Sequence, residues 1–98
     1  MRMMMRVIMS ITEGNAMIKS GRMPQLWSDA LARMKPEAAY FTADKGDRTA
    51  YIVLDVKDPS EMPGLAEPFF LELGAKVDFQ PVMNGEDLRK GLAAIAHK

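Results

Sequence analysis

The stretch KPEAAYFTADKGDRTAYIVLDV, residues 35–56, restricts what this chain can fold into more than any other. Residues 37–43 and 49–56 read as strands, and the DKGDR turn between them holds Gly46 where a tight reversal needs positive φ. Strands joined so closely pair antiparallel, so their side chains divide between two faces. One face carries Tyr40, Thr42, Tyr51 and Asp55. That mixture is too polar for a core and too aromatic for a surface left in water. Lys45, Asp47 and Arg48 read as a polar hairpin tip.

The remaining segments supply the partners of this hairpin. Residues 2–11 alternate, with Met3, Met5, Val7, Met9 and Ile11 on one face and Arg2, Met4, Arg6, Ile8 and Ser10 on the other, which predicts a first strand. TEGN, residues 12–15, opens a short helical segment through Lys19 that SGR interrupts. A second segment restarts with Pro24 in its first turn, where the missing N–H costs nothing, and Pro36 ends it. Within it Met23, Trp27, Ala30, Leu31 and Met34 form one buried stripe. Gly14 and GRMPQ mark a bend here, or the edges of an opening over a helix–sheet cleft.

After the hairpin, Ser60 is the expected cap of a helix carrying Met62, Leu65, Phe69 and Leu73, with a kink at Pro68 and Gly74 as its left-handed terminator. AKVDFQPVM alternates Val77, Phe79 and Pro81 against Asp78, Gln80 and Val82, and its proline points to a sheet edge or a strand end. Asn84 caps a final helix with Leu88, Leu92 and Ile95 on one side. The order β-α-β-β-α-β plus a terminal helix is an α+β, ferredoxin-like arrangement. It predicts a four-stranded antiparallel sheet with helices on one face, and residues 1–98 as one domain.

Composition excludes several functions. The 98 residues carry thirteen basic and thirteen acidic side chains with no block of like charge, so no nucleic-acid footprint is expected. With no cysteine there are no disulfides, thiolate metal sites or cysteine nucleophile, and a reducing, cytoplasmic setting fits. The Met-rich first eleven residues contain Arg6 and are too short to span a bilayer. The single histidine, His97, and scattered carboxylates show no metal spacing, and no glycine-rich phosphate loop follows a strand, so neither a metal nor a cofactor is expected. The ten methionines read as adaptable core filler.

Helices on one face leave the other bare. That face should hold Met4, Arg6, Ile8, Ser10, Ala38, Tyr40, Thr42, Tyr51, Val53, Asp55, Asp78, Gln80 and Val82, and a second copy of the chain is the expected cover. Arg6 should pair there with Asp55 or Asp78, and the tyrosine hydroxyls need partners.

KPEAAYF, AEPFF and PVM carry a resemblance: the whole chain is similar to the dimeric α/β-barrel superfamily, and within it to a group of short bacterial proteins of unknown function. The superfamily includes muconolactone isomerases and small cofactor-free monooxygenases. The resemblance implies two sheets facing each other across a homodimer, with ligand pockets between sheet and helices or near the seam. Two functions follow. One is a homodimer that binds a small molecule or serves a structural or regulatory role. The other is a cofactor-independent isomerase or monooxygenase acting on a small aromatic or lactone metabolite, in a cleft lined by Arg6, Trp27, Tyr40 and Tyr51, with a tyrosine as acid and Asp55 as base. Arg6, Trp27, Tyr40, Tyr51, Asp55 and Gln80 are the candidate residues for pocket or seam.

Overall fold

The computed structural model describes residues 1–96, so His97 lies outside the described residues. The elements run β1 (Arg2–Ile8), α1 (Ile11–Ser20), α2 (Met23–Met34), β2 (Ala38–Asp44), β3 (Asp47–Asp55), a 3-10 turn (Pro59–Glu61), α3 (Met62–Leu73), β4 (Lys76–Pro81) and α4 (Gly85–Ala96). The sheet is ordered β2-β3-β1-β4, and every neighbouring pair is antiparallel. This is the ferredoxin-like α+β topology, with its first helix split into α1 and α2. β4 is an edge strand that ends on Pro81, where a missing donor does no harm.

Local chemistry sets the element ends. The Lys45–Gly46 turn places both residues at positive φ (53° and 86°), the two-residue reversal whose twist suits a hairpin. Gly21 and Gly74, at φ 74° and 53°, terminate α1 and α3. Asn84 caps α4 reciprocally: its Oδ1 accepts from Asp87 N at 2.9 Å and its own N–H donates to Asp87 Oδ2 at 3.2 Å.

The core lies between the sheet and α1–α3. Met5, Val7, Ala50 and Ile52 are wholly buried under Trp27, Ala30 and Met34 of α2, Met17 of α1, and Phe69 and Leu73 of α3. The Trp27 ring stacks on Phe69, centroids 5.1 Å apart, and meets Phe41 edge-on at 4.9 Å.

Four local expectations change. Ile11 is not on a strand face: the chain leaves the sheet after Ile8, and Ile11 opens α1 with 62% of its surface exposed. Ser10 is accordingly the cap of α1, accepting from Glu13 N at 3.3 Å, and not an open-face residue. The cap before α3 is Asp58, two residues ahead of Ser60. Its carboxylate accepts from Ser60 N at 3.0 Å, while the Glu61 carboxylate reaches back to Asp58 N at 2.9 Å. Pro68 sits inside an unbroken α3, where burial of Ala66, Phe69 and Leu73 outweighs one missing backbone bond.

The terminal helix stands apart. α4 buries no residue, and a polar contact from Asp87 to Arg2 of β1 ties its first turn to the sheet. The molecule is therefore long, 57 × 29 × 18 Å, with a radius of gyration of 15.9 Å, where a compact chain of ~100 residues has about 13 Å.

Ile52→Ala in this core is expected to cost about 2–5 kcal/mol, against about 0.5 kcal/mol or less for Leu71→Ala, whose side chain is exposed. Urea unfolding of the two variants checks the contrast.

Candidate functional site

The sheet face away from the helices is built of cross-strand rows. The register aligns Asp78, Arg6, Tyr51 and Tyr40 across all four strands. The next row toward the start of β1 is Gln80, Met4, Val53 and Ala38. A charged and aromatic row thus lies beside a mainly apolar one on the same surface.

Arg6 is the hub. Its Nη2 and Nε donate to Asp78 Oδ2 at 2.8 and 3.2 Å, and its Nη1 lies 3.9 Å from Asp44 Oδ2. The Tyr51 hydroxyl donates to the same Asp44 oxygen at 2.7 Å. That hydrogen bond, then burial, raises the Tyr51 pKa above its ordinary value, with Arg6 pulling the other way. Hydrogen bonding to Asp78 raises Arg6. One guanidinium, two carboxylates and a firmly protonated phenol therefore form a self-satisfied network. The Arg6 and Asp78 side chains remain 40% and 53% exposed, so in open water solvent screens the pair and it adds little to stability. Met4, Arg6, Tyr51, Asp78, Phe79 and Gln80 line a recess of about 300 Å³ beside the hub.

The structure does not bring all six candidates together. Arg6, Tyr51 and Tyr40 share a row, and Gln80 sits diagonally across from Arg6. Asp55 lies at the rim opposite Arg2, where it accepts from the Met1 ammonium at 2.8 Å. It is four residues along β3 from Tyr51, about 13 Å. The ammonium's hydrogen bond and charge lower its pKa, which keeps it an anion and a poor base. Trp27 is on the other side of the sheet, in the core. Among the described residues Trp27 and Arg6 line different concavities.

Trp27 instead belongs to a second concavity. α1 and α2 leave the outer end of β2 uncovered, so Phe41 and Ile18 are about half exposed. With Met9, Met23 and Trp27 they line a mostly apolar groove of about 400 Å³, and Arg48 forms part of its wall. Arg48 is partly buried, and its guanidinium lies against the α1 backbone at Gly14, where a Cβ would approach Nη1 to 2.8 Å. Among the described residues no carboxylate lies within 4 Å of the Arg48 nitrogens. An arginine beside apolar rings with no acidic partner suits an anionic group on an otherwise oily ligand. Sequence reasoning missed Arg48 by leaving it in the turn. The available signal was parity, since residue 48 shares the helix-side phase of Ala50 and Ile52. Among the described residues no three histidine or carboxylate side chains converge on a metal-sized space.

No family model matches the chain, and no curated protein does. Among solved structures it is similar to a formyltetrahydrofolate deformylase from Pseudomonas putida KT2440, at 11% identity and a TM-score of 0.48. That match covers 83% of this chain but 28% of the other, so this chain spans well under a third of its length. At that level the likeness says nothing about ligand or activity.

Because Tyr51 titrates above its ordinary value of 10.0, the stability its hydroxyl contributes is complete below that pH and is lost as pH rises through the higher folded value. Phenolate absorbance of a Tyr40→Phe variant isolates Tyr51 and should give that raised midpoint. Asp44→Asn should bring it down toward the ordinary value.

Proposed function

We propose that this chain acts as a homodimer that binds a small apolar carboxylate, with the open sheet face as the subunit seam and the helix-side groove as the ligand site. The observation that carries the ligand half is Arg48, a partly buried cation at an apolar groove with no carboxylate of the described residues within 4 Å. A carboxylate there gains a charge-assisted hydrogen bond while its hydrocarbon part covers Phe41 and Ile18, which water now wets, at the edge of Trp27. A volume of about 400 Å³ suits a single ring or a short branched chain.

The dimer half is supported by the self-satisfied Arg6 network at the centre of an uncovered face, and by the resemblance to dimeric α/β barrels. The face is semi-polar with Met, Tyr and Arg prominent, as interface cores are. Isomerase or monooxygenase chemistry at this face has no comparable support. Tyr51 is moved up and Asp55 down, so both depart from the near-neutral values that proton transfer needs.

Trp27 is the sole tryptophan, so its fluorescence reports the groove directly. Titration with phenylacetate should give a saturable change, and the neutral isostere phenylacetamide should not. Arg48→Gln should weaken phenylacetate by roughly 10- to 100-fold, the worth of one charged hydrogen bond. Gly14→Ala should leave the fold as stable or up to about 1 kcal/mol more so, because a helix prefers alanine, yet weaken binding by displacing the guanidinium. Equal binding of acid and amide, or an Arg48→Gln variant that binds like the parent, defeats the ligand assignment.

A further inference from the structure

An isolated helix of about 12 residues is marginal in water, and burial of its apolar side normally holds it. α4 has that length and a stripe of Leu88, Leu92 and Ile95 at i, i+4 and i+7, yet these side chains are 47%, 56% and 65% exposed. Among the described residues none of the three belongs to the buried core or is packed against it. What fixes α4 is polar and confined to its first turn: the Asn84–Asp87 cap and an ion pair from Asp87 Oδ2 to Arg2 Nη1 at 3.0 Å.

Arg2 is on the same strand phase as Met4 and Arg6, so α4 leaves from the rim of the open sheet face. The first rows inward from that rim include the half-buried apolar set Met4, Val53 and Ala38. Two unsatisfied apolar surfaces thus sit side by side on one subunit, an arrangement that a two-fold axis satisfies reciprocally.

We infer that α4 is an exchanged arm: in the homodimer proposed above, on which this rests, each subunit lays Leu88, Leu92 and Ile95 across the Met4–Val53–Ala38 row of a second copy. Area argues for this occupant. Four strands about 4.8 Å apart and six to seven residues long present only about 400 Å² in projection, whereas a standard interface buries about 800 Å² per partner. A helix about 18 Å long and about 10 Å wide adds roughly 180 Å² to each side, and side-chain relief supplies the remainder. The exchange also roofs the recess beside Arg6, removing water from the Arg6–Asp78 pair and raising its weight. The partner's arm therefore completes the seam.

The test uses two readouts on the full chain. In sedimentation velocity at micromolar concentration the parent should be a dimer. A Leu88→Ser, Leu92→Ser, Ile95→Ser variant should dimerise at least about tenfold more weakly, while unfolding cooperatively with its core intact, since α4 contributes no buried residue to it. The chain has no cysteine, so a mixture of a Leu92→Cys variant and a Val53→Cys variant should form a disulfide-linked heterodimer on oxidation. If the serine variant dimerises as tightly as the parent, or the cysteine pair links only when both sit in one chain, the exchanged arm is wrong while the homodimer stands. If the parent sediments as a monomer, both fall together.

Discussion

Alternation on the two central strands fixes nearly everything else. Burying Met5 and Val7 of β1 with Ala50 and Ile52 of β3 beneath the helices turns Met4, Arg6, Tyr51 and Val53 the other way by the same step. A one-residue slip of either strand would exchange the two sets, so the core and the uncovered face are one specification. The helices α1–α3 supply enough apolar surface for one side only. The other side is neither core nor ordinary surface: it holds an arginine balanced by two aspartates and a tyrosine, with an apolar row beside it.

The helix side is incomplete in a different way. Trp27 holds Phe69 on one side and touches Phe41 on the other, but no helix covers the outer end of β2. The same aromatic packing that anchors α2 thereby leaves an oily groove, and Arg48 enters it because α1 has glycine, not a side chain, at position 14. Trp27 thus serves the core and the groove at once, whereas Arg48 and Gly14 shape the groove alone.

Much of this was legible in the sequence, and the failures have identifiable causes. Strand phase, the left-handed Gly46 and Gly74, the Asn84 cap and the shared face of Arg6, Tyr51 and Tyr40 follow from local pattern. A shared face leaves both Asp55 and Asp78 open as partners of Arg6, and only register, a long-range property, decides: the β1–β3 pairing sets Asp55 against Arg2, and Asp78 of β4 meets Arg6. Arg48 was lost because charged residues around a turn are usually solvated, whereas a two-residue reversal starts β3 at Asp47 and draws Arg48 into the sheet. The stripe on α4 was visible, but its covering was not, since periodicity marks what must be buried and is silent on what buries it.

The central claim is that the face bearing Met4, Tyr51 and Val53 is shielded by a second copy of the same chain. An isotope-filtered NOE experiment on an equal mixture of labelled and unlabelled protein reads this contact directly. The account predicts cross-peaks between copies at the Met4 and Val53 methyl groups and the Tyr40 and Tyr51 rings. Filtered spectra silent at these positions, with the face exchanging freely with solvent, would contradict it.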